Sequence, residues 1–166
     1  STDDKKNNLK GIDLLNNTLQ LLQSKLLNSS FSKIILINFG GDKGEHEVHG
    51  FRNISLGYID DPVDLAILYS SADCVLVPSI IESFGQVAAE ALSCCTPVVS
   101  FDTSGLRDIV HHRSTGLVAR EFNPSSLCEQ LIEMTKTSEK ARLSMGENGR
   151  KHIIKNFSFP ILTNKY

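Results

Sequence analysis

The sequence predicts an α/β protein, a Rossmann-like parallel sheet with helices on both faces. Two observations carry the prediction. Continuously apolar runs at 34–37 (Ile-Ile-Leu-Ile), 74–77 (Cys-Val-Leu-Val) and 97–101 (Pro-Val-Val-Ser-Phe) have the composition of strands buried on both faces. Segments with helical periodicity or helix caps separate these runs, and strands alternating with helices pack as a parallel sheet.

The polar stretch 1–8 reads as a loop or a frayed start. Leu15, Leu19, Leu22 and Leu26, joined by Ile12 and Leu14, recur at helical spacing and predict an amphipathic helix over about 11–28. The run 34–37 leads to Gly40-Gly41, so it reads as a buried strand entering a turn, and 54–57 reads as a weaker strand. Asp61 before Pro62 supplies an N-cap and a proline at the first helical position, predicting a helix to about Ser71. Pro78 stops the run 74–77. A helix containing Glu90 starts near Gly85-Gln86 and precedes the run 97–101. A short helix (106–110), a short strand (117–119) and two helices (about 124–136 and 138–154) follow, with Asn123-Pro124 opening the first of these two. There is no repeat or linker-like stretch, so residues 1–166 read as one domain.

A chain of 166 residues can bury a sizeable core. With 22% charged residues and a net charge of −2, it carries no electrostatic bias toward nucleic acid or an anionic membrane. No apolar run approaches the length of a membrane span, and no signal peptide is visible. Cys74, Cys94, Cys95 and Cys128 show no C-x-x-C spacing and read as free thiols of a reduced, cytoplasmic compartment.

In an open α/β sheet the ligand sits beyond the carboxyl ends of the strands, which directs attention to the loops 40–44, 79–85 and 102–105. The second contains Glu82, and the helix after it reads Val-Ala-Ala-Glu-Ala-Leu, apolar except for Glu90. An ionised glutamate in such a helix needs a partner. It either pairs with an Arg or Lys of a neighbouring element or accepts hydrogen bonds from ligand hydroxyls such as those of a ribose. Glu82 is either a solvated loop residue or a hydroxyl acceptor at the mouth. The first N–H groups of the helix favour an anion such as phosphate. Hydroxyls at both ends with phosphate between them is the layout of a nucleotide sugar.

The stretch "PSIIESFGQVAAEALSCCTPVVSFDTSG" (78–105) resembles the donor-site signature of the retaining GT-B glycosyltransferases of family 4, also called group 1. Glu82, seven residues and Glu90 follow Pro78-Ser79 and precede Pro97-Val98-Val99. "KGIDLL" (10–15), "LGYIDDPVDLAILYSSADCVLVPS" (56–79), "STGLVA" (114–119) and "MGENGRKHIIKNFS" (145–158) extend the resemblance over nearly the whole chain, with bacterial exopolysaccharide enzymes the nearest type. The resemblance implies that the chain is the C-terminal, donor-binding half of a GT-B fold. An N-terminal acceptor domain of the same parent chain would bind the glycan or lipid-linked acceptor. It also implies roles. Glu82 is the catalytic candidate and contacts the transferred sugar, whose pocket the backbone of Ser83, Phe84 and Gly85 lines. Gly85, Gln86 and Val87 hold the diphosphate with Lys10, Glu90 takes the ribose hydroxyls, and Tyr58-Ile59 borders the base. A cytoplasmic enzyme, peripheral at the inner membrane face through the missing domain, is the corresponding location.

The sequence departs from the family at three places. The first strand, normally central and carrying Gly-Arg, is missing; Cys95 stands where Gly usually ends the helix; Ser104-Gly105 replaces a Gly-Gly pair. A left-handed cap at Cys95 would be strained. "EHEVH" (45–49) spaces His46 and His49 three apart, one short of a helical metal pair, and reads as an exposed polar loop. His111-His112-Arg113 reads as positive charge after a short helix, and "GGDKG" lacks the G-K-[ST] of a phosphate loop. Adjacent acidic pairs occur only at Asp3-Asp4 and Asp60-Asp61, so neither a cofactor nor a metal is expected. A binding module that holds a nucleotide sugar without transferring it is the alternative function. A glycosidase built on Glu82 and Glu90 is less suited, because the helix turns the two carboxylates toward different ends of a ligand.

Overall fold

A computed structural model of the chain describes residues 9–26 and 34–157. The predicted polar start (1–8), the last two positions of the first predicted helix (27–28) and the tail (158–166) lie outside the described residues. In chain order the elements are α1 (Ile12–Leu26), β1 (Ile35–Asn38), β2 (Gly44–Val48), β3 (Phe51–Ser55), α2 (Pro62–Ser71), β4 (Val75–Val77), α3 (Gln86–Ser93), β5 (Val98–Phe101), α4 (Leu106–Ile109), β6 (Gly116–Ala119), α5 (Pro124–Lys136) and α6 (Glu139–Phe157).

The strands form two three-stranded sheets. In one, β4, β5 and β6 run parallel with β5 in the middle. Every residue of β5 is buried, as a continuously apolar central strand requires. On one face Val98 packs with Ala88 and Leu92 of α3, Leu106 and Ile109 of α4, and Ile153 of α6. On the other, Val99 and Phe101 pack with Leu127 and Met134 of α5 and with Leu14 of α1. Leu92 and Phe101 are fully buried, each contributing about 1.5–3 kcal/mol.

In the other sheet, β3 lies between β1, which is parallel to it, and β2, which is antiparallel. The two sheets share no ladder among the described residues. Helix α1 bridges them: Leu14 joins the β5 cluster, while Leu15, Leu19 and Leu22 pack with Leu36 of β1 and Phe51 of β3.

Two sequence expectations need correction. Residues 34–37 do form a strand, but not a buried one, since Ile35 and Ile37 of β1 are exposed. Among the described residues only β3 pairs with it, and α1 packs on the side of Leu36. Residues 45–49 are not a loop: Glu45 to Val48 belong to β2, which forms a hairpin with β3. The two-residue turn His49-Gly50 has φ of 50° and 80°, the positive pair that matches the twist of a hairpin. His46 Nε2 lies 3.1 Å from Asn53 Nδ2 directly across the ladder, and Arg52 pairs with Glu45.

The helix starts follow from their caps. Asp61 accepts from Val63 N at 2.7 Å and Asn123 from Ser126 N at 2.9 Å, each just before a proline at the helix start. Cys95 and Ser104, the two departures from glycine, take left-handed φ values of 60° and 40°.

Candidate active site around Glu82 and Glu90

Loop 78–85, between β4 and α3, is held on both sides. Toward α1, Ile80 N donates to Leu9 O at 2.9 Å. Gly11 follows with φ 72°, and a Cβ there would lie 2.0 Å from Pro78 O. Only glycine permits this approach, and the approach sets Lys10 against the loop. On the other side, Gly105 N donates to Glu82 O at 3.0 Å and Thr103 Oγ1 to Ile80 O at 2.8 Å. The loops 79–85 and 102–105 are therefore one knitted rim.

Glu82 is held rather than solvated. Its Oε1 accepts from Lys10 Nζ at 2.6 Å and from Ser79 Oγ at 2.8 Å, with side-chain exposures of 54% for Lys10 and 17% for Glu82. Both bonds fall on the same carboxylate oxygen. Ser83 and Phe84 are exposed beside it, and Phe84 meets Phe157 of α6 edge-on at 5.3 Å.

Helix α3 begins at Gly85, whose φ of 88° is left-handed, and no side chain caps it. The N–H groups at Gln86 and Val87 open the helix at the rim, with the positive end of its dipole. Glu90, one turn further, has two hydrogen-bond partners. Tyr69 Oη donates to Oε2 at 2.9 Å, and Gln86 Nε2 to Oε1 at 2.9 Å. Neither is the Arg or Lys of the simpler alternative; both donors are neutral. Tyr69 is buried, and burial followed by the bond to Glu90 pushes its phenol well above the ordinary value, leaving it a donor at neutral pH.

Tyr58 is exposed and Ile59 half-buried in the connection from β3 to α2. They adjoin the first rim loop, where Gly40 N donates to Gly57 O at 2.8 Å. Phe39, just before that turn, meets the Tyr69 ring edge-on at 6.0 Å. The site residues named from sequence thus fall into two groups: Lys10, Glu82 and the Ser83–Val87 backbone in one, and Glu90 and the Tyr58-Ile59 stretch in the other, linked by Tyr69 and Phe39.

Ser79, Tyr69 and Thr103 are the contributors sequence reasoning missed. Ser79 stood in the motif without a role. The Gln86–Glu90 contact was legible from its i,i+4 spacing. Tyr69 lies 21 positions before Glu90, and nothing local links the two. His112, expected to add positive charge, instead accepts from Val118 N through Nδ1 at 3.0 Å. Among the described residues, no three His, Cys, Asp or Glu side chains gather as metal ligands, and no helix is long and apolar enough to cross a membrane. The four cysteines are free thiols.

Comparison with known proteins adds four findings. The family described as "Glycosyl transferases group 1" matches residues 7–152. The D-inositol 3-phosphate glycosyltransferase of Jonesia denitrificans is 32% identical over 155 residues, covering 87% of this chain and 36% of that protein. The structure of sucrose-phosphate synthase from Thermosynechococcus elongatus superposes with a TM-score of 0.74 at 25% identity, covering 95% of this chain and 41% of that one. The fold of Anabaena HepE, determined with UDP, gives a TM-score of 0.72 at 19% identity over 95% of this chain and 44% of that one. The chain thus spans little more than a third of that relative and less than half of either structure.

Proposed function

Because the chain belongs to the group 1 glycosyl transferases, we propose that it is the donor-binding domain of an enzyme that transfers a sugar from a nucleotide sugar with retention of configuration. The acceptor, a glycan or a lipid-linked glycan of bacterial surface polysaccharide synthesis, binds a second domain of the parent protein on the cytoplasmic side. The exopolysaccharide-type flanks of the signature support that choice of acceptor.

The observation that carries the reading is the unneutralised carboxylate of Glu90, one turn inside an uncapped helix start. A ribose diol there donates two charge-assisted hydrogen bonds to the carboxylate, and a diphosphate meets the N–H groups of Gly85, Gln86 and Val87. Lys10 turns from Glu82 to the diphosphate, which releases Glu82 Oε1 for the sugar. Ser83 and Phe84 border the sugar, and Tyr58-Ile59 the base. The charge of the diphosphate is met by the helix and Lys10, so donor binding is independent of a divalent cation.

Calorimetric titration with uridine and guanosine sugar nucleotides tests this reading. Binding by the wild-type chain, weakened by about 1–3 kcal/mol in Glu90→Gln, is the expected result. Affinity within twofold in the presence of EDTA is expected too. A tenfold loss on chelation, restored by Mg²⁺ or Mn²⁺, refutes the metal-independent part, and failure of every sugar nucleotide to bind refutes the whole.

A further inference from the structure

Tyr69 carries a buried phenol whose hydroxyl makes one side-chain hydrogen bond. A hydroxyl taken out of water needs a partner, and this one lies on Glu90 Oε2 at 2.9 Å. The rest of the residue is fixed. Its carbonyl accepts from Thr96 Oγ1 at 2.7 Å and from Ala72 N at 3.1 Å. Phe39 holds the ring edge-on at an interplanar angle of 84°. Gln86, the donor on the other oxygen, is an exposed side chain on the same helix as Glu90. Of the two donors, the one that comes from another helix and cannot move is Tyr69.

We propose that Tyr69 is a positioning residue for nucleotide recognition and makes the site selective for a ribonucleotide with an intact 2′,3′-diol. The proposal rests on the assignment of Glu90 to the ribose. A carboxylate oxygen accepts two hydrogen bonds. With one acceptor site on each oxygen filled by a neutral donor, the remaining sites point in a fixed pair of directions. A diol, with two hydroxyls on adjacent carbons, fits such a fixed pair, whereas a freely rotating carboxylate loses rotamer freedom when the ligand binds. That loss corresponds to about a twofold to tenfold change in affinity. An inter-helix tie with no role in binding would satisfy the buried hydroxyl equally well, and the two readings differ in what they do to the ligand lacking the diol.

The experiment compares uridine diphosphate, or guanosine diphosphate where it binds more tightly, with its 2′,3′-dideoxy analogue by calorimetry. The wild-type chain is expected to prefer the ribonucleotide by tenfold or more. Tyr69→Phe, which keeps the ring and removes the donor, is expected to reduce that preference threefold to tenfold while dideoxy affinity stays within twofold. In a Glu90→Gln background, Tyr69→Phe is expected to have no effect on the ratio. Equal weakening of both ligands, or the same reduction with and without Glu90, overturns the proposal in favour of the structural tie. A wild-type chain with no preference overturns the prior assignment of Glu90 to the ribose. If Tyr69→Phe does not fold, Phe39→Leu releases the ring while keeping the hydroxyl. It is expected to reduce the preference by a smaller factor, and an unchanged ratio in it overturns the proposal.

Discussion

Substituting Gly11 by alanine tests whether the approach of α1 to the Pro78 carbonyl builds the site. The alanine must hold φ near 72°, which costs an L-residue about 1–2 kcal/mol. Its Cβ would lie 2.0 Å from Pro78 O and 2.9 Å from Pro78 C, both backbone atoms that cannot rotate aside. Relief requires the start of α1 to leave the loop, which gives up the bond from Ile80 N to Leu9 O, about 1 kcal/mol more. The sum is about 2–3 kcal/mol. For a domain of this size each kcal/mol lowers Tm by about 2–4 °C, so a fall of about 4–12 °C is expected by calorimetry or circular dichroism. Nucleoside diphosphate affinity should fall as well, because Lys10 moves with the backbone it stands on. Gly41→Ala is the control: a Cβ there meets nothing within 4 Å, and the expected change is within about 0.5 kcal/mol. A Gly11→Ala chain as stable as the control refutes the reasoning.

Two further outcomes follow from the same geometry. In the full-length parent enzyme, Glu82→Ala is expected to reduce transfer at least a hundredfold while nucleoside diphosphate affinity changes less than threefold; kinetics and calorimetry on the same preparation check the split, and an equal loss in both puts Glu82 at the nucleotide. Stability should also decline in alkali, because burial pushes the Cys74 thiol up to about 11 from 9.0. A folded value above the unfolded one means the contribution is whole below pH 9 and is lost as pH rises to about 11, amounting to no more than about 3 kcal/mol. Urea unfolding between pH 8 and 11 reads the slope, which should be shallower in Cys74→Ala whatever that variant's stability at pH 8.

How much was legible in the sequence depended on the range of the interaction. Helices α2 and α5 start where Asp61-Pro62 and Asn123-Pro124 said they would, because a cap acts within one turn. The strand character of 34–37 was local too, but its burial was not, since that depends on what pairs with β1 and covers it. The β2–β3 hairpin escaped because His49-Gly50 adopts the turn usually announced by Asn-Gly, and a run of polar residues hid the strand before it. Strain at Cys95 was legible, since any residue at a left-handed helix end other than glycine carries that cost. At the site, Glu82 and Glu90 were visible by spacing, whereas Gln86 was expected at the diphosphate and not on Glu90. Tyr69 and the Gly105 N–H reach the two glutamates only after the chain has folded.

The two glutamates have partners of opposite character, which suits the proposed ligand. In that proposal a diphosphate at the start of α3 brings at least two negative charges toward two carboxylates, at about 1–4 kcal/mol per charge pair at 4 Å in partly solvated surroundings. Glu82, on the rim, carries Lys10 with it, so phosphate meets a neutral pair whose cation is free to turn toward it. Glu90 lies one turn, about 6 Å, along the helix from its first residue, beyond the worst of that repulsion. A Lys or Arg on Glu90 would cancel the charge that makes a hydroxyl bind well and would compete with the diol for the same oxygens. Tyr69 and Gln86 instead satisfy the carboxylate without neutralising it. A cation on the phosphate side and neutral donors on the hydroxyl side are what a ligand with phosphate between two polyhydroxylated ends requires.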